Sequence, residues 1–455
     1  MSRVDRSKLP APGVPRPFHF PTIERTVLDG GLDVRVVTQR TAPIVSLTAL
    51  VRGGSAADPD DRPGLAAFTA DLLDDGAGTL DGPGLADVLA RIGAEADIEV
   101  WPDATVVTIT TLARHVSRAA ALLADLVMRP RLAAEDIERV RGLRLDRLRQ
   151  MRAQAASLAD RALTRAIYGH HPYGHPGIGD PDAVRATTAD DIRGFHARGY
   201  QARATTLVIA GDLDTAAAVA LAEAAFGGWA AGAVKFAGPR AVDAPEARGR
   251  VLVVARPGAS QSELRVGQVS AARSTPDYHA LILWNAVLGG QFVSRLNMNL
   301  RQEKGYTYGV RSGFDFRRDR GPFSIHTSVQ TTATADATSE ILREVRDLQS
   351  TRPVTPEELA RAKAAVGLGY PRGFETAQQV ARAVAQMSLH DIGPDHFEQF
   401  VPRLNGVTLA EVEAAAARHV RPDRLTAVIV GDPATVEPQL AARGLDYELT
   451  EEALV

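Results

Sequence analysis

The chain of 455 residues is longer than one hydrophobic core usually supports, so two or more domains are expected. With 45% hydrophobic and 24% charged residues and a formal net charge of −3, it reads as soluble and globular, without the basic balance that nucleic acid or an anionic membrane would attract. The absence of cysteine excludes disulfides, thiolate metal sites and a cysteine nucleophile.

The opening stretch MSRVDRSKLPAPGVPRPFHFP has no apolar core of the roughly 7 to 15 residues that a secretory signal needs. A cytoplasmic location is therefore expected, or a periplasmic one had a leader been removed. Nowhere do the roughly 18 to 20 consecutive apolar residues of a membrane span occur. Residues 1–20 read as an arm, and a first domain is expected over 21–228. In it LDVRVVTQ, IVSLTALVRGG and ATVVTITTLA have strand character, while HVSRAAALLADLVM repeats its apolar residues at three and four. The Ala/Gly/Pro-rich stretch 229–249 suits a linker, and a second domain is expected over 250–445.

The two halves repeat one another. TTADDIRGFHARGYQARATTLVIAGD, ending at Asp212, aligns without a gap on VTLAEVEAAAARHVRPDRLTAVIVGD, ending at Asp432, so that Thr188, Arg198 and Gly211 recur as Thr408, Arg418 and Gly431. Each copy predicts a helix opened by a Thr cap with acids in its first turn, then a turn, then an apolar strand. Upstream, Arg129-Pro130 with Glu135-Asp136 answers to Arg352-Pro353 with Glu357-Glu358. Pro63 and Pro276 each head an apolar helical run.

Three further stretches stand in a telling order: VRGGSAADPDDRPGLAAFTADLLDDGAGT, HHPYGHPGIGDPDAV and LGGQFVSRLNMNLRQEKGYTYGV. Together they resemble the pitrilysin/insulinase-type (inverzincin) zinc peptidases, in the short two-domain form related to mitochondrial processing peptidase. The resemblance covers most of the chain. It implies an α+β fold of two homologous domains, each a mainly antiparallel sheet with helices packed on one face, forming half of a clamshell.

Active members of that family carry H-x-x-E-H on the first helix, two His ligating zinc and Glu activating water. Here Ala67 stands for the first His, Ala70 for the base and Asp71 for the second His. The family's third ligand is a Glu roughly 75 residues on, yet LRLDRLRQM offers only Asp146 as an acid. His170, His171 and His175 do not replace it, because Pro172 and Gly174 between them preclude a helical ligand face. No metal is expected in this chain. Nor is there a G-x-S-x-G elbow, a G-x-x-x-x-G-K-[ST] loop or a G-x-G-x-x-G turn.

The second half keeps an arginine and a tyrosine seven residues apart, Arg301 and Tyr308, which in the family support the substrate carbonyl and its oxyanion. Arg301 is expected in the last turn of a helix ended by Gly305, with a strand starting in YTYGVRSGF; an ordinary salt bridge of Arg301 to Glu303 is the plain alternative. The resemblance thus implies a non-catalytic, substrate-binding subunit. Its partner would be a zinc-bearing homologue with H-x-x-E-H, zinc residing on that partner and peptides being the substrate. An inactive scaffold, or a stand-alone peptide-binding clamshell, is the competing expectation. The arginine run from Arg139 to Arg152 reads as a solvated face or as a chamber lining for acidic peptides. FDFRRDRGPF, with Arg317, Arg318 and Arg320, reads equally as a surface turn.

Overall fold

The computed structural model describes Gly13, residues 18–229 and residues 249–450. Residues 230–248 of the expected linker and most of the expected arm lie outside the described residues.

In the first half the strands are β1 Glu24–Val27, β2 Asp33–Thr38, β3 Ile44–Arg52, the small hairpin β4 Gly76–Ala77 and β5 Leu80–Asp81, β6 Glu95–Val100, β7 Ala104–Leu112 and β8 Thr205–Gly211. The helices are α1 Leu65–Ala70, α2 Gly82–Arg91, α3 Val116–Met128, α4 Ala134–Arg152, α5 Ala155–Tyr168, α6 Pro181–Ala186, α7 Ala189–Gly199 and α8 Thr215–Phe226. The second half contains β9 Arg250–Ala255, β10 Gln261–Val269, β11 Val310–Phe314, β12 Pro322–Gln330, β13 Thr426–Gly431 and β14 Tyr447–Thr450. Its helices are α9 Tyr278–Asn285, α10 Thr334–Asp347, α11 Pro356–Gly369, α12 Ala377–Leu389, α13 His396–Gly406, α14 Leu409–His419 and α15 Pro433–Ala442.

Two six-stranded sheets form, in the orders β1-β2-β8-β3-β7-β6 and β11-β12-β10-β13-β9-β14. Read from opposite ends, the five strands β2-β8-β3-β7-β6 match β9-β13-β10-β12-β11. In both, the first and last of the unit pair in parallel, β2 with β8 and β9 with β13, and the rest are antiparallel. The duplication therefore extends from sequence to strand order. Its clearest local sign is the cap: Thr188 with Asp191 and Thr408 with Glu411 both close reciprocal capping boxes. The second sheet runs past the expected limit at 445, because β14 pairs in parallel with β9.

Each half packs its own helices on one face of its sheet. Val34, Leu47, Ala49 and Ile209 alternate onto that face in the first half, as do Val253, Val266 and Ile429 in the second. The opposite faces are not left to water: β3, β8 and β13 are buried almost end to end. What covers them comes from the other half. Val37, Leu50, Val208 and Ala210 pack against Val380, Ala381, Val384 and Ala385 of α12. Leu252, Val254, Val428 and Val430 pack against Leu158, Ala159, Ala162 and Leu163 of α5. One helix is exchanged in each direction.

Polar contacts fix both exchanges. Arg265 of β10, almost fully buried, holds Asp160 of α5 at 2.5 Å. Arg52 of β3 donates to Ser388 O at 2.6 Å and to Asp391 at 2.8 Å, at the carbonyl end of α12 where a cation is favoured. The hairpin FDFRRDRGPF, expected as a surface turn, is instead part of the seam. Buried Asp103 accepts from Tyr173 Oη at 2.6 Å and from Arg318 N at 3.0 Å, and the Arg317 guanidinium lies 4.7 Å from the Tyr173 ring centroid.

Because each sheet has one face covered by the other half, the halves should unfold together. Leu158→Ala should destabilise the chain by about 2–5 kcal/mol. In urea with hydrogen-exchange readout, β13 should lose protection together with β8, in one transition. Independent melting of the halves would contradict this packing.

Candidate functional site

The window Ala67–Asp71 lies on and just after α1. Asp58 prepares the start of that helix, accepting from Gly64 N at 2.6 Å and Ala66 N at 2.7 Å. Burial pushes the Asp58 carboxyl up to about 7 against those donors and Arg144. Gly64 takes φ +93°, and a side chain there would meet Ile178 O at 2.6 Å, so the HHPYGHPGIG loop presses on the helix entrance.

Arg144 of α4 reaches the end of α1. Its guanidinium, 4% exposed, bonds Asp71, donates to Ile178 O at 2.7 Å and lies 5.3 Å from the buried Phe68 ring centroid. Burial pulls its pKa down, and Asp71 and Asp58 oppose that pull. Asp146, two residues on and so about 200° round the helix, is exposed and paired with Arg149. These residues do not fit zinc: two of the three motif positions are apolar, and the remaining carboxylate is engaged by a cation. Among the described residues no group of three or more His, Cys, Asp or Glu is placed to hold a metal ion. The loop histidines diverge: buried His171 lies 3.5 Å from Asp319, His175 lies 3.8 Å from Asp58, and His170 is exposed.

A cleft of about 450 Å³ opens beside this window, between α4 and the edge strand β6, with Asp71, Asp74, Asp97, Arg139 and Arg147 on its walls. Burial raises Asp74, and Asp75 and Asp71 raise it further. Of the six arginines in α4, four have carboxylate partners: Arg139 holds Asp75 at 2.5 Å, Arg141 holds Glu138, Arg144 holds Asp71 and Arg149 holds Asp146. The run is thus largely paired with acids, while Arg139 and Arg147 also line the cleft.

Arg301 and Tyr308 do come together. Arg301 sits in the last turn of the wide helical segment Asn297–Glu303, and Gly305 reverses the chain at φ +66°. The strand begins at Val310, within YTYGVRSGF. Asn297 takes both backbone groups of Val310, donating to its O at 2.9 Å and accepting from its N at 3.1 Å. Thr327 Oγ1 donates to Gly309 O at 2.9 Å. Held in this loop, Tyr306 packs toward the core while Tyr308 stands 93% exposed. The Arg301 guanidinium lies 5.5 Å from the Tyr308 ring centroid and 4.4 Å from that of Phe292. It makes no salt bridge to Glu303, and its Nη1 is buried without a hydrogen-bond partner among the described residues.

Exposed apolar side chains flank this pair. Phe292, Val293 and Met298 are 68%, 65% and 43% exposed, and they edge a groove of about 1130 Å³ on one side of Arg301. A second groove of about 880 Å³ runs between Phe292 and Tyr308. Such a cluster of exposed apolar side chains is the usual mark of an interaction surface.

Two family models match the chain: "Insulinase (Peptidase family M16)" over residues 35–181 and "Peptidase M16 inactive domain" over residues 186–366. An uncharacterized zinc protease of Mycobacterium tuberculosis is 28% identical over 90% of this chain and 92% of its own length. One of Mycobacterium leprae is 26% identical over 86% and 88%. A crystal structure described as a peptidase M16 inactive domain from Pseudomonas fluorescens superposes with TM-score 0.84 at 26% identity, over 90% of this chain and 98% of that one. A Helicobacter pylori protease shares the fold, with TM-score 0.85 at 19% identity over 90% of this chain and 100% of that one.

Losing either member of the Arg144–Asp71 pair should cost unequally. Asp71→Ala leaves a buried guanidinium unpaired and should destabilise by about 3–5 kcal/mol, whereas Arg144→Met leaves a carboxylate that water can reach and should cost clearly less. Chemical denaturation of the two variants checks the order.

Proposed function

This chain belongs to the insulinase family of M16 peptidases, and on that premise we propose that it is the non-catalytic, substrate-binding subunit of a heterodimeric zinc metallopeptidase. The observation that carries the proposal is the pairing of Arg301 with Tyr308: an exposed phenol and a guanidinium with an unused donor, on a chain whose motif positions cannot hold zinc. Both are donors suited to a scissile carbonyl and to the oxyanion formed when water attacks it. The metal and the base would come from the partner, a homologue with H-x-x-E-H. The names of the relatives, zinc proteases, support the reaction class.

Peptide would be held as an added strand. β6 is the free edge of the first sheet, and its residues Ala96, Asp97 and Ile98 line the same cleft as Asp71. The exposed Phe292 and Val293 supply an apolar margin for the partner or the substrate. No helix among the described residues is long and apolar enough to cross a membrane.

In the reconstituted heterodimer, Arg301→Ala and Tyr308→Phe should each lower kcat/KM for peptide hydrolysis about 10²-fold without changing zinc content or assembly. Wild-type rates in both variants would make the pair structural and leave the chain a scaffold or a peptide-binding clamshell. The isolated, chelator-washed chain should carry no stoichiometric zinc by elemental analysis.

A further inference from the structure

A fourth cavity, of about 560 Å³, shares no wall residue with the grooves beside Arg301 and Tyr308. It lies between the end of β11, the approach to α9, and helices α12 and α13. Its size is that of a small-molecule site. Its walls are aromatic: Phe314 and Phe316 stack at 5.3 Å, and Tyr370 lies flat on Phe400 at 4.0 Å. Tyr278 and Phe374 complete them.

The charges around it are paired, with one exception. Arg382 is held by Glu99 at 2.9 Å, Asp315 by Arg317 at 2.8 Å, Asp391 by Arg52 at 2.8 Å and Asp395 by Arg403 at 2.9 Å. Arg318 also lies 3.7 Å from Asp391. Arg273 has no carboxylate partner among the described residues. Its guanidinium sits 3.5 Å over the Tyr278 ring and 3.2 Å from His396 Nε2. Three imidazoles surround it, His279, His390 and His396, each held down to about 4 by burial first and by Arg273 next. They are therefore neutral near pH 7 and do not add to the charge. Three polar atoms here are buried without a partner among the described residues: His279 Nε2, His390 Nδ1 and Tyr370 Oη. A half-buried cation ringed by unsatisfied polar atoms is destabilising unless something completes it.

We propose that this cavity binds a small organic carboxylate on a flat apolar body, Arg273 taking the carboxylate and the rings of Phe316, Tyr370 and Phe374 enclosing the body. Such a group could be a free aryl carboxylate or the C-terminal residue of a peptide ending in Phe. The site is independent of the peptidase reading, since none of its residues touches Arg301 or Tyr308.

Calorimetric titration of the full chain tests it with four probes: 3-phenylpropionate, 3-phenylpropanol, and a short peptide ending in Phe with a free or an amidated C-terminus. Saturable binding of 3-phenylpropionate, at least about tenfold weaker for the alcohol, is expected. Binding of the free-acid peptide but not of its amide would assign the site to peptide C-termini. Arg273→Met should weaken binding of the acids about tenfold or more and leave Tm unchanged or raised, because it removes an uncompensated charge. Tyr370→Phe, which keeps the ring, should weaken binding about two- to fivefold. The proposal is overturned if neither acid binds, if acid and alcohol bind alike, if Arg273→Met binds as wild type, or if that variant lowers Tm as loss of a structural residue would.

Discussion

The exchange of one helix between the halves is the constraint on which the rest of the molecule depends. A sheet buried on both faces needs a second cover. Here α5 leaves the first half to cover β9, β10 and β13, while α12 returns to cover β2, β3 and β8. The seam is thereby part of the core. It also sets the positions of the functional segments: the HHPYGH loop follows α5 directly, and the Arg273 cavity is walled by α12 and the chain leading into α13. A rigid seam is what lets side chains on separate halves act against fixed backgrounds.

Within that frame, the Ala67–Asp71 window of the first half ends on an internal ion pair. It sits on and just after a helix whose entrance is capped by Asp58 and pressed by the 176–179 loop. At the helix end the Arg144 guanidinium ties Asp71 to Ile178 O. A guanidinium is always charged and offers five fixed donors, so it can neutralise a carboxylate and hold a loop at once, but it leaves no open position for water or substrate.

Much of the architecture was legible because its signals are local. The two capping boxes, the two apolar strands after them and the strand character of β2, β3 and β7 depend on residues a few positions apart. The helix exchange was not legible, because periodicity in α5 and α12 says that one face is buried and not against which sheet. Arg144 was hidden among six arginines, its partner 73 residues away. The side chains that anchor the Arg301–Tyr308 loop were not legible for a similar reason, since Asn297 and Thr327 reach Val310 and Gly309 from separate segments. The Arg273 cavity gathers residues spread from Arg273 to Phe400 and leaves no contiguous pattern.

The treatment of arginine across the molecule separates structure from binding. Arg52, Arg139, Arg144, Arg265, Arg295 and Arg382 all meet carboxylates, and several also hold backbone carbonyls, so each is spent on joining elements. Arg301 and Arg273 depart from this. Both lie against aromatic rings and neither has an acid partner among the described residues; Arg301 keeps a buried donor without a partner, and Arg273 meets only a neutral imidazole. A cation stacked on aromatic faces keeps its charge available while its flat surfaces are desolvated, which strengthens its attraction for an incoming carbonyl oxygen or carboxylate. Stacking on aromatic rings without an acid partner among the described residues is the arrangement that suits both positions to an external oxygen.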